Sequence, residues 1–222
     1  MNMKLFISAI TKFVLGALIV GLLLFIPAGF NYFNGWLFMS ILFIPMFIFG
    51  IILMIINPNL LKRRLDVKEE EKDQKEVILL SGIMFILGFV IAGLNYRYKW
   101  FMMPNIFVVI GAIIFIISYV LYAEVLRENE YLLRTIKVEK NQKVVDTGLY
   151  SIVRHPMYII TILLFLSIPF ILNSFISFII FLIYPIIIVK RIKNEEEVLK
   201  KDLKGYKEYM KKVKYRLIPF IW

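Results

Sequence analysis

The sequence predicts an all-α, polytopic membrane bundle of about six hydrophobic segments. The last two form a short helical hairpin, and a cytoplasmic amphipathic helix follows them at the C-terminal end. Three observations lead there. The 222 residues are 60% hydrophobic and include 20 phenylalanines, more apolar surface than a soluble chain of this size buries. Asp, Glu, Lys and Arg are absent from Phe13 to Leu61, Val77 to Tyr96, Trp100 to Ala123 and Pro156 to Val189, and a spanning helix needs about 20 apolar residues. With six spans, only Arg97 and Lys99 of the 27 Lys and Arg fall on the far side of the membrane.

The first charge-free run is long enough for two helices, broken near Asn31, Asn34 and Gly35. Lys4 and Lys12 precede an apolar stretch that continues through Phe25 and Ile26, longer than the core of a cleaved signal, so it reads as a retained first helix. Asn57 to Glu76 carries mixed charges and reads as a solvated helical loop without a catalytic constellation. The second and third runs are single spans joined through Arg97 and Lys99, with Trp36, Tyr96, Tyr98 and Trp100 as interfacial aromatics. The fourth run breaks at Asn173-Ser174 and carries Pro169 and Pro185, hence the hairpin over 156–189. The positive-inside rule then places both termini in the cytoplasm. Two parts are expected: residues 1–125, holding four spans and the loop 57–76, and residues 126–222, holding the charged segment, the hairpin and the C-terminal helix.

Composition also excludes. There is no cysteine and a single histidine, His155, which removes thiolate catalysis and the usual metal-ligand sets, so no metal site is expected. The net charge of +11 has a topological explanation reinforced by anionic membrane lipids, and does not call for nucleic acid. No ionisable side chain other than tyrosine lies within a span, which argues against an ion-coupled carrier. Chemistry is therefore expected on the charged segments.

The segment Glu124 to His155 opens as an extension of the fourth span. It continues through the β-branched, polar stretch Ile136 to Val145, turns at Asp146-Thr147-Gly148, and leads into Leu149 to Tyr158. Pro156 suits the first turn of the next helix, whose free N–H groups could receive a carboxylate. From Lys190 onward, Glu195, Glu196 and Glu197 are expected in the first turn of a helix. Val198, Leu199, Leu203, Tyr206, Met210 and Val213 recur at helical spacing, giving an amphipathic helix suited to the membrane surface or to the neighbouring segment. The apolar tail Tyr215 to Trp222 is expected to pack back.

One combination is more specific than its parts: Gly148-x-Tyr150, Val153 to Tyr158 with Arg154-His155-Pro156 inside it, Arg191-x-x-x-Glu195-Glu196, Gly205-Tyr206-x-x-Tyr209, and Tyr215 to Pro219 with Trp222. In order and spacing this resembles the integral-membrane isoprenylcysteine carboxyl methyltransferase family, in its prokaryotic branch, and the related phospholipid N-methyltransferases. The resemblance covers the chain from Val144 onward. It implies S-adenosylmethionine as cofactor, contacted by Gln142, Lys143, Val144, Val145, Tyr150, His155, Pro156, Met157, Tyr158 and Glu195. It also implies that Arg191 faces a lipophilic methyl acceptor entering from the bilayer, most simply a carboxylate of isoprenylcysteine type. A thiol or amine acceptor would need a proton sink, for which Glu196 or His155 is at hand. The family often has glycine where this chain has Ile160, a departure that bears on acceptor size. Methylation of a phospholipid amine or small thiol, a NADPH-dependent reductase using the lysines of 137–143, and a non-catalytic carrier stand as alternatives.

Overall fold

A computed structural model of the chain describes residues 3–65, 72–129, 131, 138 and 141–222, the side chains of Arg63, Lys72, Asp73 and Gln74 excepted. Among these, regular structure is helical throughout. In order come α1 (Met3–Ala28), α2 (Phe33–Ile56), α3 (Pro58–Leu65), α4 (Lys72–Tyr98), α5 (Asn105–Glu128), a single 3-10 turn (Gly148–Ser151), α6 (Pro156–Ile171), α7 (Phe175–Phe181), α8 (Ile183–Asp202) and α9 (Tyr206–Lys212). Helices α1, α2, α4 and α5 and the consecutive pair α7–α8 are long and apolar enough to cross a membrane, and the chain is an integral, multi-pass membrane protein. Their outer faces carry large exposed aliphatics such as Ile55, Val120 and Ile186, which water would not tolerate and lipid does. The inner faces meet around Tyr32, Phe38, Phe115 and Phe181, all fully buried.

Helix α6 has only 16 residues, about 24 Å at 1.5 Å per residue against a hydrocarbon core of about 30 Å. Its far end stops inside the protein. Backbone polar groups at that depth must be satisfied internally, and neighbouring chain segments supply the partners. Tyr32 Oη donates to the Leu172 carbonyl. Asn95 Nδ2 donates to the Asn173 carbonyl at 3.3 Å, and the Met103 N–H donates to Asn173 Oδ1 at 2.6 Å. Ser174 then caps α7 through Ser177 N–H at 3.3 Å. The expected hairpin is therefore present, and a polar socket built from α4 and the α1–α2 and α4–α5 connections holds its tip. Close packing aligns it: a Cβ on Gly111 of α5 would come within 2.7 Å of the Phe170 Cβ.

Two expectations require correction. The three glutamates do not begin a helix. Helix α8 runs without interruption from Ile183 to Asp202, because Lys, Glu, Leu and Ile all propagate helix and no breaker intervenes. Its apolar part ends at Val189, so Glu195 and Glu196 lie beyond the membrane-spanning stretch, and the macrodipole does not account for them. Nor is the amphipathic region one helix. It breaks at Leu203–Gly205, where Gly205 takes a left-handed φ of 87° that favours glycine. The apolar residues Leu203, Tyr206, Tyr209 and Val213 turn onto Val138 and Val144, so the neighbouring segment, one of the two surfaces foreseen, receives this face.

Candidate functional site

The site is assembled at the charged end of the bundle from three stretches far apart in sequence. Gly148 has φ +50°, a left-handed backbone that favours glycine, and a Cβ there would lie 1.3 Å from Glu128 Oε1, so any other residue would displace the Glu128 carboxylate. Glu128 Oε2 accepts a bond from Leu149 N–H at 3.1 Å, and the turn sets the next residue, Tyr150. The Tyr150 hydroxyl accepts from Asn129 Nδ2 at 3.0 Å, and its carbonyl accepts from Tyr209 Oη at 2.7 Å. Thus Tyr150 of the Gly-x-Tyr pattern and Tyr209 of the Gly-Tyr-x-x-Tyr pattern serve one junction. The backbone N–H groups of Arg154 and His155 donate to the Tyr215 and Arg216 carbonyls, each at 2.9 Å. The tail does pack back, and Pro156 opens α6 at its first turn as expected.

Glu196, 1% exposed, anchors this arrangement. Its Oε1 accepts from Arg154 Nε at 2.8 Å and lies 3.3 Å from His155 Nε2, while its Oε2 accepts from Arg216 Nε at 2.9 Å. Arg154 Nη1 donates to the Val213 and Lys214 carbonyls at 2.8 and 2.7 Å. Burial alone would push the Glu196 carboxyl up, but the bonds from His155, Arg154 and Arg216 outweigh it and hold the group down at about 2. Glu196 lines neither of the cavities described next.

A first cavity, enclosing about 90 Å³, lies between the 142–158 stretch and the α8–α9 face. Gln142, Lys143, Val144 and Val145 line one side. Tyr150, His155, Met157 and Tyr158 line another, and Glu195 closes a third with Leu199 and Tyr206. Tyr158 Oη donates to Glu195 Oε2 at 2.5 Å and accepts from Arg191 Nε at 2.9 Å. Burial pushes the Tyr150 and Tyr206 phenols well up, so both are neutral donors near pH 7. Tyr206 Oη is buried at this cavity without a hydrogen-bond partner among the described residues, a cost that a ligand acceptor would remove.

A second cavity of about 400 Å³ sits between α4, α5, α6 and α8. Apolar residues such as Val77, Phe85 and Phe165 form most of its wall, and Arg64 and Arg191 both line it. The two cavities share Met157 and Tyr158. Helical phase explains the partition: Tyr184, Ile188 and Arg191 follow one stripe of α8 along the second cavity, and Glu195, Leu199 and Leu203 continue it along the first.

Of the residues singled out in the sequence, nine line the first cavity, Arg191 lines the second, Pro156 starts α6, and Glu196 is withdrawn into its ion cluster. Lys137 and Lys140 lie outside the described residues. Ile160 packs on Val125 and Tyr150 and lines neither cavity. Arg154, Tyr206 and Tyr209 stood in the motifs without a role. Asn129 and Arg64 carried no sequence signal, and α3 is helical as expected of the loop but docked through Leu60 and Leu61 where a solvated segment was expected.

These features define a membrane protein with a polar pocket and an apolar cavity meeting at one tyrosine. Comparison with known proteins gives that class a family setting. The model of the phospholipid methyltransferase family matches residues 106–205, a little under half the chain. The solved structure of the eukaryotic intramembrane Ras methyltransferase ICMT (isoprenylcysteine carboxyl methyltransferase) superposes with a TM-score of 0.57 over 99% of this chain and 85% of that one, at 18% identity. The mouse (Mus musculus) Delta(14)-sterol reductase TM7SF2 is 29% identical over 93 residues, 40% of this chain and 22% of the reductase, so the chain spans well under two thirds of that relative. The resemblance carried by the motifs is thus met by sequence over 106–205 and by fold over nearly the whole chain: it is to the related isoprenylcysteine carboxyl and phospholipid methyltransferases.

Proposed function

We propose that the protein is an S-adenosylmethionine-dependent methyltransferase acting, at the cytoplasmic face, on a lipophilic acceptor, with a carboxylate of isoprenylcysteine type as the leading candidate. The observation that carries this reading is Tyr158, whose hydroxyl joins the Glu195 carboxylate on one side to the Arg191 guanidinium on the other. A carboxylate faces the polar pocket and a cation faces the apolar cavity, which suits a cationic donor and an anionic acceptor.

The residues of the first cavity fit the cofactor chemically. Glu195 matches an α-ammonium group, the Tyr150 and Tyr158 rings suit a sulfonium as cation–π partners, and the unpartnered Tyr206 hydroxyl offers a donor. A ligand of nucleoside size extends beyond the roughly 90 Å³ that is enclosed. When bound, the cofactor supplies a methyl group activated on a positively charged sulfur. The chain's own work is then to position and to exclude water. Arg191 orients the acceptor, Met157 and Tyr158 set the approach between cavities, and Glu196 keeps His155 and the tail in place. A carboxylate acceptor has no proton to lose and needs no base. Glu196, held at about 2 by three donors, is a poor proton sink, which leaves His155 for a thiol or amine.

The likeness to a sterol reductase supports a second reading, in which the first cavity takes NADPH and Lys143 serves its phosphate. Titration of S-adenosylhomocysteine and of NADPH into detergent-purified protein separates the two. Micromolar binding of S-adenosylhomocysteine, weakened at least about tenfold in Glu195→Ala, supports methyl transfer. Binding of NADPH alone overturns it.

A further inference from the structure

The tail packs back through its backbone but not through all of its side chains. Arg154 and His155 stand immediately before the apolar run of α6, and their N–H groups bond the Tyr215 and Arg216 carbonyls, each at 2.9 Å. The tail is thereby tied to the level at which α6 enters the membrane. Leu217 is buried in the same core cluster as Ile188 and Ile192 of α8, and Trp222 packs against that cluster. Beyond this attachment the chain closes on itself. The Trp222 main-chain oxygen accepts from the Arg216 and Leu217 N–H groups, each at 2.9 Å, and the Trp222 N–H returns to the Ile218 carbonyl at 3.1 Å.

What this closed turn displays is apolar. Ile218, Phe220 and Ile221 are 41%, 88% and 77% exposed. Phe220 has φ 66°, a left-handed backbone that is costly for a bulky side chain, and its ring centroid lies 5.3 Å from that of Tyr215. The turn thus bears a conformational cost to hold a phenylalanine away from the core, which contact with lipid would offset and contact with water would not. From Tyr209 to Trp222 there is no Asp or Glu, against Lys211, Lys212, Lys214 and Arg216. Lys212 pairs with Asp146 and Arg216 with Glu196, and Lys211 and Lys214 are exposed. Aromatic and aliphatic side chains beside lysines suit a membrane–water interface.

We propose that the turn 216–222 is a membrane-surface anchor. Ile218, Phe220 and Ile221 enter the bilayer at the boundary between headgroups and acyl chains, and Lys211 and Lys214 meet the phospholipid phosphates. The partner is the lipid surface itself, continuous with the lipid-facing aliphatics of the spans. The same turn carries Arg216, which holds Glu196, so the anchor fixes the pocket-bearing end at headgroup level. None of this depends on which ligand the cavities take.

The chain contains no cysteine, so one substitution places one nitroxide label. The full chain carrying Phe220→Cys or Ile221→Cys is labelled and placed one copy per nanodisc of phosphatidylcholine and phosphatidylglycerol. Ile113→Cys, on the exposed face of α5, is the lipid reference. Lys201→Cys, exposed and about 18 Å beyond Val189 on α8 at 1.5 Å per residue, is the aqueous one. Collision with oxygen, which concentrates in lipid, is read against collision with a water-soluble nickel chelate. The oxygen-to-nickel ratio at both tail sites is expected to exceed that of Lys201→Cys at least about threefold and to stay below that of Ile113→Cys. A ratio equal to the aqueous reference overturns the proposal. So does shielding from both reagents, the result that a second copy or another part of this chain would give. Melting temperatures in detergent, with and without label, check the fold. Should the cysteine variants fail to fold, Phe220→Trp keeps an aromatic ring at the site. Its added emission should be quenched by lipids brominated near the headgroup, and quenching by aqueous iodide instead overturns the proposal.

Discussion

The two ends of the bundle bury polar groups in opposite ways. Where the α4–α5 connection meets the hairpin tip, Tyr32, Asn95, Asn173, Ser174 and Ser177 are buried and neutral, and their bonds run largely to backbone groups. At the other end, Arg154, His155 and Glu196 are buried and ionisable, with Glu195 and Arg191 beside two cavities. Neutral groups close a socket at little electrostatic cost, whereas buried charges demand full pairing. One end is closed, and the other carries two cavities. The same contrast recurs between two adjacent residues: the Glu196 side chain is 1% exposed and has three donors, while that of Glu195 is 24% exposed and faces a pocket.

The largest effect is expected from removing the charge that anchors the ionisable end. Glu196→Ala leaves Arg154 buried without its carboxylate and should cost about 3 to 5 kcal/mol of stability, measured by denaturation in detergent. A loss below about 1 kcal/mol would mean that the cluster is solvated. At the closed end, Asn173→Ala removes the acceptor for Met103 N–H and puts alanine at φ 53°. It should cost about 2 kcal/mol while leaving ligand affinity unchanged. Glu195→Ala should do the reverse, weakening S-adenosylhomocysteine by about 1.4 kcal/mol with little change in stability. Tyr206→Phe should weaken the same ligand by about 0.5 to 1.5 kcal/mol and leave the melting temperature unaltered or raised, since an unpaired buried hydroxyl is removed.

Acid sharpens the comparison in one further way. The folded carboxyl of Glu196 sits at about 2, below its ordinary 4.5. Its contribution is therefore fully present above about pH 4.5 and lost as pH falls through about 2. A pH series of thermal melts should show a loss in that window that Glu196→Gln lacks, and Asn173→Ala should retain it.

Much of the molecule was legible in the sequence because the signals are local. Charge-free runs mark the spans, the Asn173-Ser174 break marks the hairpin, and the Gly148-x-Tyr150 and Arg154-His155-Pro156 patterns mark the pocket. Charge runs were misleading where helix propagation ignores them: Glu195 to Glu197 resembled a helix start because acids favour N-termini, yet α8 passes straight through them. Arg64 was invisible because a cation in a charged loop resembles any other until α3 is docked.

The sequence by itself determined that the chain lives in a membrane, how its helices divide and which short stretches line the polar pocket, since hydropathy and turn chemistry act over a few residues. Only the tertiary structure decided that Glu195 faces the pocket while Glu196 binds Arg154, 42 positions away, and that Arg64 and Arg191 share a cavity. Neighbours on a helix point about 100° apart, and which direction meets a cavity depends on partners that come together only when the helices pack.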